Sequence, residues 1–399
     1  MSKKLKLSKR AKKIPKSGIR KMFDLAQKYT DVVNLSIGEP DFDTPPHIVE
    51  AAVKAMKEGY THYTVNAGFL DFRKAVSEKL RKENRIDADP ETEIMATAGA
   101  MGGLSLAFLT LIDPGDEVLI PNPGFPNYAA QVVLAGGKPI SYPLKEENNF
   151  RVNADDIVKR ITPKTKAILI NSPSNPTGSV LREKELKNIA RIALEHDLLV
   201  ISDEAYEAII YDGINHVSIA SFPEMKERTI SIFTFSKTYA MTGWRIGFTV
   251  AQKEIIEEML ELQEHILVHP SSISQMAAIA ALRGSKDYTQ KILKEYAERR
   301  EIITRELNNM PGITCLKPEG AFYVFPNIKK TGMSSTEMAM YLLEKAKIIT
   351  VPGTAFGDYG EGYVRISYST SKEKIREAMN RMHVALKELN KNREHQKYF

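Results

Sequence analysis

The chain has 399 residues, a hydrophobic fraction of 43% and a formal net charge of +6 at pH 7, which is enough sequence for a large α/β domain with a smaller one beside it. Residues 1–16 carry eight Lys or Arg and no Asp or Glu, so the rest of the chain has a net charge of −2, and no basic stripe indicates nucleic-acid binding. No apolar run reaches the roughly 18–20 residues of a membrane helix, and no apolar segment of a signal peptide follows the basic N-terminus.

Between residues 93 and 250, short apolar runs alternate with helical patterns. The predicted strands are, in chain order, EIMATA, EVLIP, KPISYPL, KAILIN, LLVISDE, TISIFTF and RIGFTV. The helical patterns between them include GGLSLAFLTLI, NYAAQVVLAGG and ELKNIARIALEHD. This alternation predicts an α/β fold in which a mostly parallel sheet lies between helices.

After residue 253 the pattern becomes helical, and KDYTQKILKEYAERREIITRELNNM predicts one long helix. The runs GAFYVFP and GYVRISYS then predict strands of a smaller α+β domain. We therefore expect three parts: an N-terminal segment, residues 14–46, that packs with the small domain; a large domain, residues 47–285; and a small C-terminal domain, residues 286–399.

The cysteine and histidine content predicts neither a disulfide nor a metal site. Cys315 is the single cysteine. His265 and His269 are four residues apart, but the Glu of a zincin motif is missing and Pro270 follows directly. The cysteine and histidine content is typical of a cytoplasmic protein that binds no metal.

Polar residues stand at the ends of the predicted strands, where ligands of open α/β sheets bind. Taken singly, each has a plain structural explanation, such as a turn or a helix cap. Taken together, they match the needs of pyridoxal 5′-phosphate (PLP). The helix start after Gly99 with nearby hydroxyls and Arg245 can hold a phosphate. The remaining groups serve the ring: Asp203 for its nitrogen, Asn175 and Tyr206 for its oxygen, Phe125 for its face, and Lys237 as the amine for a Schiff base.

The chain resembles the class I/II aminotransferases of PLP fold type I over nearly all of residues 14–390. The most specific motifs are NSPSNPTG at 171–178, SDEAY at 202–206 and SKTYAMTGWRIG at 236–247. LSIGEPDFDTP at 35–45, THYTVNAG at 61–68, TAGAMGGL at 97–104 and GYVRISYS at 362–369 accompany them. The chain looks most like the subgroup that contains bacterial and archaeal aspartate and aromatic aminotransferases.

This resemblance implies a role for each matching residue. Lys237 would carry PLP and act as the catalytic residue. The cofactor phosphate would be held by Arg245, by the hydroxyls of Thr234 and Ser236, and by the backbone of Gly99, Ala100 and Met101. Arg365, Asn175 and the backbone of Gly38 would bind the substrate carboxylate. Tyr63 would reach the cofactor of the neighbouring subunit, which implies a homodimer with shared active sites.

The resemblance leaves the substrate open. Many bacterial aspartate enzymes of this subgroup have Lys at the position of Met101 and Thr at that of Ile19, and both residues are apolar here. We therefore expect aromatic or broad specificity, with glutamate as a donor and an acceptor such as 2-oxoglutarate. An aspartate aminotransferase is one alternative, and a PLP-dependent C–S β-lyase of the same fold, which would keep Lys237, Asp203 and Arg365, is another. A regulator would need a DNA-binding domain, for which the short basic arm leaves no room.

Overall fold

The computed structural model describes residues 8–14, 18, 22, 24–25 and 27–396. The strands of this part are β1 (Val33–Asn34), β2 (Ile94–Thr97), β3 (Glu117–Asn122), β4 (Lys138–Pro143), β5 (Thr165–Asn171), β6 (Leu199–Asp203), β7 (Thr229–Thr234), β8 (Gly247–Val250), β9 (Tyr323–Val324), β10 (Ile348–Ile349), β11 (Val351–Pro352) and β12 (Val364–Ser367). The helices are α1 (Lys9–Lys13), α2 (Pro46–Lys57), α3 (Leu70–Lys79), α4 (Gly99–Leu111), α5 (Asn127–Leu134), α6 (Ala154–Val158), α7 (Glu183–Glu195), α8 (Phe235–Thr238), α9 (Lys253–Ile266), α10 (Ser272–Arg283), α11 (Asp287–Asn308), α12 (Ser335–Tyr341) and α13 (Lys372–Gln396).

The central sheet has seven strands in the order β2-β8-β7-β6-β5-β3-β4. Strand β8 runs antiparallel to both of its neighbours, and the other pairs are parallel. Helices cover both faces, because successive residues of β6 enter different cores: Val200 packs with α7, and Ile201 packs with α4 and α9. Burial on both faces explains why these strands read as continuous apolar runs. The predicted α/β fold is confirmed.

Two small sheets lie in the rest of the described chain. Strands β11, β12 and β9 form an antiparallel sheet, and β1 pairs in parallel with β10. The predicted long helix is a single helix, α11, of 22 residues. The pairing of β1 with β10 brings residues 33–34 beside residues 348–349, and the expected segment 14–46 stays a prediction. The division at residues 46 and 285 stays a prediction.

The carboxyl ends of the central strands collect the polar residues that the motifs contain. Asn171 ends β5 and pairs with Asp203, which ends β6. Strand β7 ends at Thr234, and the short helix α8 follows at once and carries Lys237. Helix α4 begins at Gly99, two residues after β2. In the part of the chain that the structure describes, no helix is both long and apolar enough to cross a membrane.

Candidate active site

A cavity of about 450 Å³ lies at these strand ends. Of the predicted site residues, twelve line it: Gly38, Ala100, Met101, Phe125, Asn175, Asp203, Tyr206, Thr234, Ser236, Lys237, Arg245 and Arg365. Gly99 stands just behind this lining, and Tyr63 lies elsewhere on the surface with 85% of its side chain exposed. The fold therefore brings nearly all of the predicted residues to one place.

The amine of Lys237 faces this cavity. Its Nζ donates a hydrogen bond to the backbone oxygen of Gly38 at 2.7 Å. Burial lowers the pKa of Lys237 to about 8; Glu39 opposes this shift, whereas the charges of Arg245 and Arg365 add to it. A substantial fraction of the amine is therefore neutral near pH 8, as a nucleophile or a base must be.

The carboxylate of Asp203 is buried at the end of β6, with 5% of the residue exposed. Its Oδ2 accepts a hydrogen bond from the Tyr128 hydroxyl at 2.7 Å, and its Oδ1 accepts one from the Ala205 backbone N–H at 3.1 Å. Burial raises the pKa of Asp203 to about 6, while these two hydrogen bonds act in the opposite direction. At pH 7 the group is a buried anion, and no salt bridge among the described residues includes it. Such a site favours a cationic ligand atom.

Arg365 is a buried cation, with 2% of the residue exposed. Its Nη1 donates to Asn175 Oδ1 at 2.9 Å, and its Nη2 donates to the backbone oxygen of Ser36. The guanidinium lies 4.6 Å from the centre of the Tyr323 ring and 4.9 Å from that of Phe356. None of the ion pairs formed by the described residues includes Arg365, and its Nε is buried without a partner. A planar guanidinium held in this way is suited to an anionic ligand such as a carboxylate.

A close approach of the backbone at Gly38 shapes the cavity. A Cβ on Gly38 would lie 2.0 Å from the hydroxyl oxygen of Tyr323, so a side chain there would displace that ring. The Tyr323 hydroxyl in turn forms a 2.7 Å hydrogen bond with the hydroxyl of Tyr206. The glycine therefore lets the N-terminal segment pass close to Tyr323, the first residue of β9.

A second group of hydrogen-bond donors suited to an anion lies at the start of helix α4. Gly99 has a φ of +67°, and a Cβ there would lie 2.8 Å from Arg245 Nη2, so the glycine lets the guanidinium approach the helix start. Arg245 is exposed, and its Nη1 donates to the Thr242 backbone oxygen at 2.8 Å. The hydroxyls of Thr234 and Ser236 lie 2.9 Å apart at the same edge. Helix-start N–H groups, hydroxyls and an arginine are the donors that proteins use to hold phosphate.

Comparison with known proteins identifies the family. Residues 30–382 match the family model described as aminotransferase class I and II. The chain belongs to this family. The aromatic-amino-acid aminotransferase 2 of Thermococcus litoralis is 50% identical over 384 residues, 96% of this chain and 98% of the relative. The aspartate aminotransferase of Pyrococcus abyssi is 52% identical over 374 residues, 93% and 96% of the two chains. The crystal structure of an aromatic aminotransferase from Pyrococcus horikoshii OT3 superposes with a TM-score of 0.88 at 49% identity, covering 92% of this chain and 99% of that chain.

The protein is therefore a PLP-dependent aminotransferase, and its cavity fits the cofactor. Three cationic side chains, Lys237, Arg245 and Arg365, line the cavity with one carboxylate, Asp203. The salt bridges among the described residues include none of these four groups, so the cavity is prepared for charged ligands. Asp203 can pair with a protonated ring nitrogen, the start of helix α4 can bind the phosphate, and Lys237 can meet the aldehyde.

The sequence analysis missed several side chains that line the site of this aminotransferase, and two of them support predicted residues. Tyr128 donates the hydrogen bond to Asp203, and its ring packs edge-on against Phe125 at 5.6 Å. Its spacing of three residues from Phe125, at the start of a helix, was an available signal. Tyr323 supports both Tyr206 and Arg365. It lies in GAFYVFP, far from the other motifs in sequence, so no local pattern pointed to it.

The residue after Asp203 faces away from the cavity. Glu204 is 2% exposed, and its carboxylate accepts hydrogen bonds from the hydroxyls of Ser202 and Ser218 and contacts His216 Nε2 at 2.6 Å. Glu204, Glu207 and His216 come close enough together to hold a metal ion. However, the ammonium of Lys79 already pairs with Glu207. We interpret the cluster as a buried ion network that fixes the backbone behind Asp203.

One predicted position, Tyr63, does not line the cavity. The ring of Tyr63 packs edge-on against His269 at 5.6 Å, and His269 Nε2 accepts a hydrogen bond from the Thr64 backbone N–H at 3.2 Å. This contact holds Tyr63 at the surface, and its role toward a neighbouring subunit stays a prediction. Ile19, expected to border the substrate, lies outside the described residues.

Proposed function

We propose that this aminotransferase moves the amino group of an aromatic amino acid or of glutamate to a 2-oxo acid such as 2-oxoglutarate. The observation that carries the proposal is a pair of cations, Lys237 and Arg365, that have no ion-pair partner among the described residues. They line one cavity with the buried carboxylate of Asp203. An amino acid brings an amine and a carboxylate, which are the two groups that such a site can bind. Aspartate as the preferred donor is the alternative, because the relatives carry both names.

PLP, when bound, supplies an aldehyde that condenses with amines and a ring that takes up an electron pair. The residues of this chain do the rest. Arg365 and Asn175 hold the substrate carboxylate, which orients the bond between Cα and its hydrogen. Lys237 Nζ then takes up that proton, for which its lowered pKa suits it. Asp203 is ionised at pH 7 and would stabilise a proton on the ring nitrogen of the bound cofactor.

The cavity walls help to position these groups and to exclude water. Phe125 lies beside Tyr128 and offers its ring as a cover for a flat ligand. Tyr206, held by Tyr323, is placed to donate to an oxygen on that ligand. Arg245, Thr234, Ser236 and the start of helix α4 would hold the cofactor phosphate and so fix the position of the cofactor relative to Lys237.

We extend the proposal to a homodimer in which Tyr63 reaches the active site of the partner. An aromatic side chain with 85% exposure is unusual in a monomer, and Val65, at 61% exposure, lies in the same segment. A cytoplasmic location is the remaining part of the proposal, and it rests on the single cysteine, Cys315.

The test of the proposed function is a half-reaction. The protein loaded with PLP is mixed with glutamate or phenylalanine without any oxo acid, and its absorbance spectrum and the released oxo acid are measured. We expect the aldehyde form to bleach, with one equivalent of oxo acid released per cofactor. A protein that keeps its aldehyde spectrum with every amino acid, but releases ammonia and pyruvate from a cysteine thioether, would instead be the C–S β-lyase.

A further inference from the structure

Asn127 lines the active-site cavity, and its side-chain amide has N–H groups that a ligand could use. Asn127 is the first residue of helix α5, and its Nδ2 lies 3.4 Å from the sulfur of Met101. A thioether is a weak acceptor. Among the hydrogen bonds of the described residues, this amide nitrogen has no oxygen acceptor. An N–H group that contacts only a sulfur atom forms a stronger hydrogen bond when a ligand oxygen takes the place of that sulfur.

The charges of the cavity show where such a donor is needed. Its lysine and arginine side chains are Lys237, Arg245 and Arg365. In the proposed function, which this inference builds on, the cofactor uses the first two, and the substrate α-carboxylate uses Arg365. Glutamate and 2-oxoglutarate each carry a second carboxylate. No further cation among the described residues lines the cavity, so a neutral donor is the group that these residues offer to the second carboxylate.

The other polar side chains of the cavity already form hydrogen bonds or have a role in the proposed function. Ser36 Oγ donates to Asn34 Oδ1 at 2.8 Å, and Asn171 Nδ2 donates to the Asp203 backbone oxygen at 3.0 Å. Tyr206 and Tyr323 bond to each other, and so do Thr234 and Ser236. Asn175 Oδ1 accepts a hydrogen bond from Arg365, and the proposed function assigns the Asn175 amide to the substrate α-carboxylate. Asn127 is therefore the side-chain amide that is left for a distal carboxylate.

A second cavity shows the course of the substrate side chain. It has a volume of about 650 Å³ and shares Phe125 and Asn127 with the first cavity. Phe356, whose ring lies 4.9 Å from the Arg365 guanidinium, is also in its wall, and most of its remaining lining is apolar. A side chain that leaves the carboxylate held by Arg365 can pass along Phe356 into this space. An aromatic ring buries apolar surface there without using the amide.

We propose that Asn127 determines how this aminotransferase accepts two kinds of substrate. Its amide donates to the distal carboxylate of dicarboxylic substrates, and aromatic side chains pass it into the second cavity without a hydrogen bond. A charge-assisted hydrogen bond replaces an N–H to sulfur contact in the first case only. Asn127 is therefore a specificity-determining residue for acids.

The test compares the binding of two carboxylates that lack an amino group and cannot react. Glutarate mimics the acidic substrates, and 3-phenylpropionate mimics the aromatic ones. Each is titrated calorimetrically into the PLP-loaded protein. In Asn127→Leu, which replaces the amide with an apolar group of similar size, the Kd of glutarate rises about tenfold or more, the loss expected for one charge-assisted hydrogen bond. The Kd of 3-phenylpropionate changes by less than about twofold, since it loses no hydrogen bond.

Two further variants complete the test. Gln131→Leu is the matched control, because the Gln131 amide lies 3.8 Å from the same sulfur but does not line the cavity. In this variant the Kd of glutarate and that of 3-phenylpropionate should stay at the wild-type level. Asn127→Asp keeps the shape of the side chain and should reject glutarate more strongly than Asn127→Leu does, while still binding 3-phenylpropionate. Equal changes for the two ligands, or unchanged glutarate binding in both Asn127 variants, would overturn the proposal.

This test separates the inference from the proposed function. The titrations measure binding without turnover, and the half-reaction with phenylalanine measures transamination without a distal carboxylate. A protein that transaminates phenylalanine but binds glutarate independently of Asn127 refutes the specificity role alone. A protein that binds both ligands as predicted but bleaches with no amino acid refutes the proposed function.

Discussion

Replacing Asp203 with Asn should stabilise the protein without its cofactor, although it removes a group needed for function. The pKa of Asp203 is about 6 in the folded chain, against 3.8 for an ordinary aspartate, because the carboxyl is buried. Between these two values the folded chain keeps a proton that the unfolded chain has released, so the stability of the wild type falls as the pH rises. Each pKa unit corresponds to about 1.4 kcal/mol, so the ionised carboxylate costs about 3 kcal/mol at pH 7.

The side chain in Asp203→Asn avoids this cost and keeps most of its contacts. Its oxygen can accept a hydrogen bond from the Ala205 N–H, and its amide can donate one to the Tyr128 hydroxyl oxygen. We therefore expect the free energy of unfolding to rise by about 1–3 kcal/mol at pH 7.

The assay is guanidinium unfolding of both apoproteins from pH 4 to pH 8. The difference should be small at pH 4, grow up to about pH 6 and stay constant above it, because both pKa values then lie below the pH. Added PLP should stabilise the wild type more than the variant. A difference that does not depend on pH, or a variant less stable than the wild type at pH 7, would refute the reasoning.

Four further substitutions test the site. Tyr128→Phe removes a hydrogen-bond donor to the ionised Asp203 and raises the pKa of Asp203 further. PLP binding, measured by absorbance titration, should weaken about tenfold at pH 6 but less at pH 8. An equal loss at the two pH values would contradict this role. Arg365→Leu should raise KM for aromatic and acidic amino acids alike by about a hundredfold, and an unchanged KM would count against carboxylate binding. Lys237→Ala should keep bound cofactor but lower kcat by a factor of at least about 10²–10⁴, and near-wild-type turnover would exclude it as the base. Met101→Lys places a cation beside Asn127 and should shift kcat/KM toward aspartate and glutamate by about tenfold or more relative to phenylalanine; a shift toward phenylalanine would speak against an acid site there.

Much of the large sheet could be predicted because its strands carry their own signal. KAILIN and LLVISDE became β5 and β6, and their apolar runs reflect burial on both faces. The charged 22-residue helix α11 was also predictable, because its polar and apolar residues alternate with helical spacing. By contrast, β9 has two residues within the longer apolar run GAFYVFP, since pairing with β12 and not propensity decides its length.

Site residues that follow a strand end could be predicted from the sequence. Residues that act through another side chain were harder to predict. Asp203 and Lys237 stand directly after apolar runs, so their meeting follows from parallel topology. Tyr128 contacts Asp203 across 75 positions of the chain, and Tyr323 contacts Tyr206 across 117, so both contacts arise only in the tertiary fold. Pairings over such separations have no local pattern, and the same holds for the contact of Asn127 with Met101.

The most direct test of the account asks which amine carries the cofactor. The PLP-loaded protein is reduced with borohydride, which makes the bond between cofactor and lysine permanent, and its peptides are mapped by mass spectrometry. The account predicts that the modification lies on Lys237 and that it is absent when glutamate is added before the reduction. Modification of another lysine with Lys237 unmodified, or the same amount of Lys237 modification after glutamate, would contradict it.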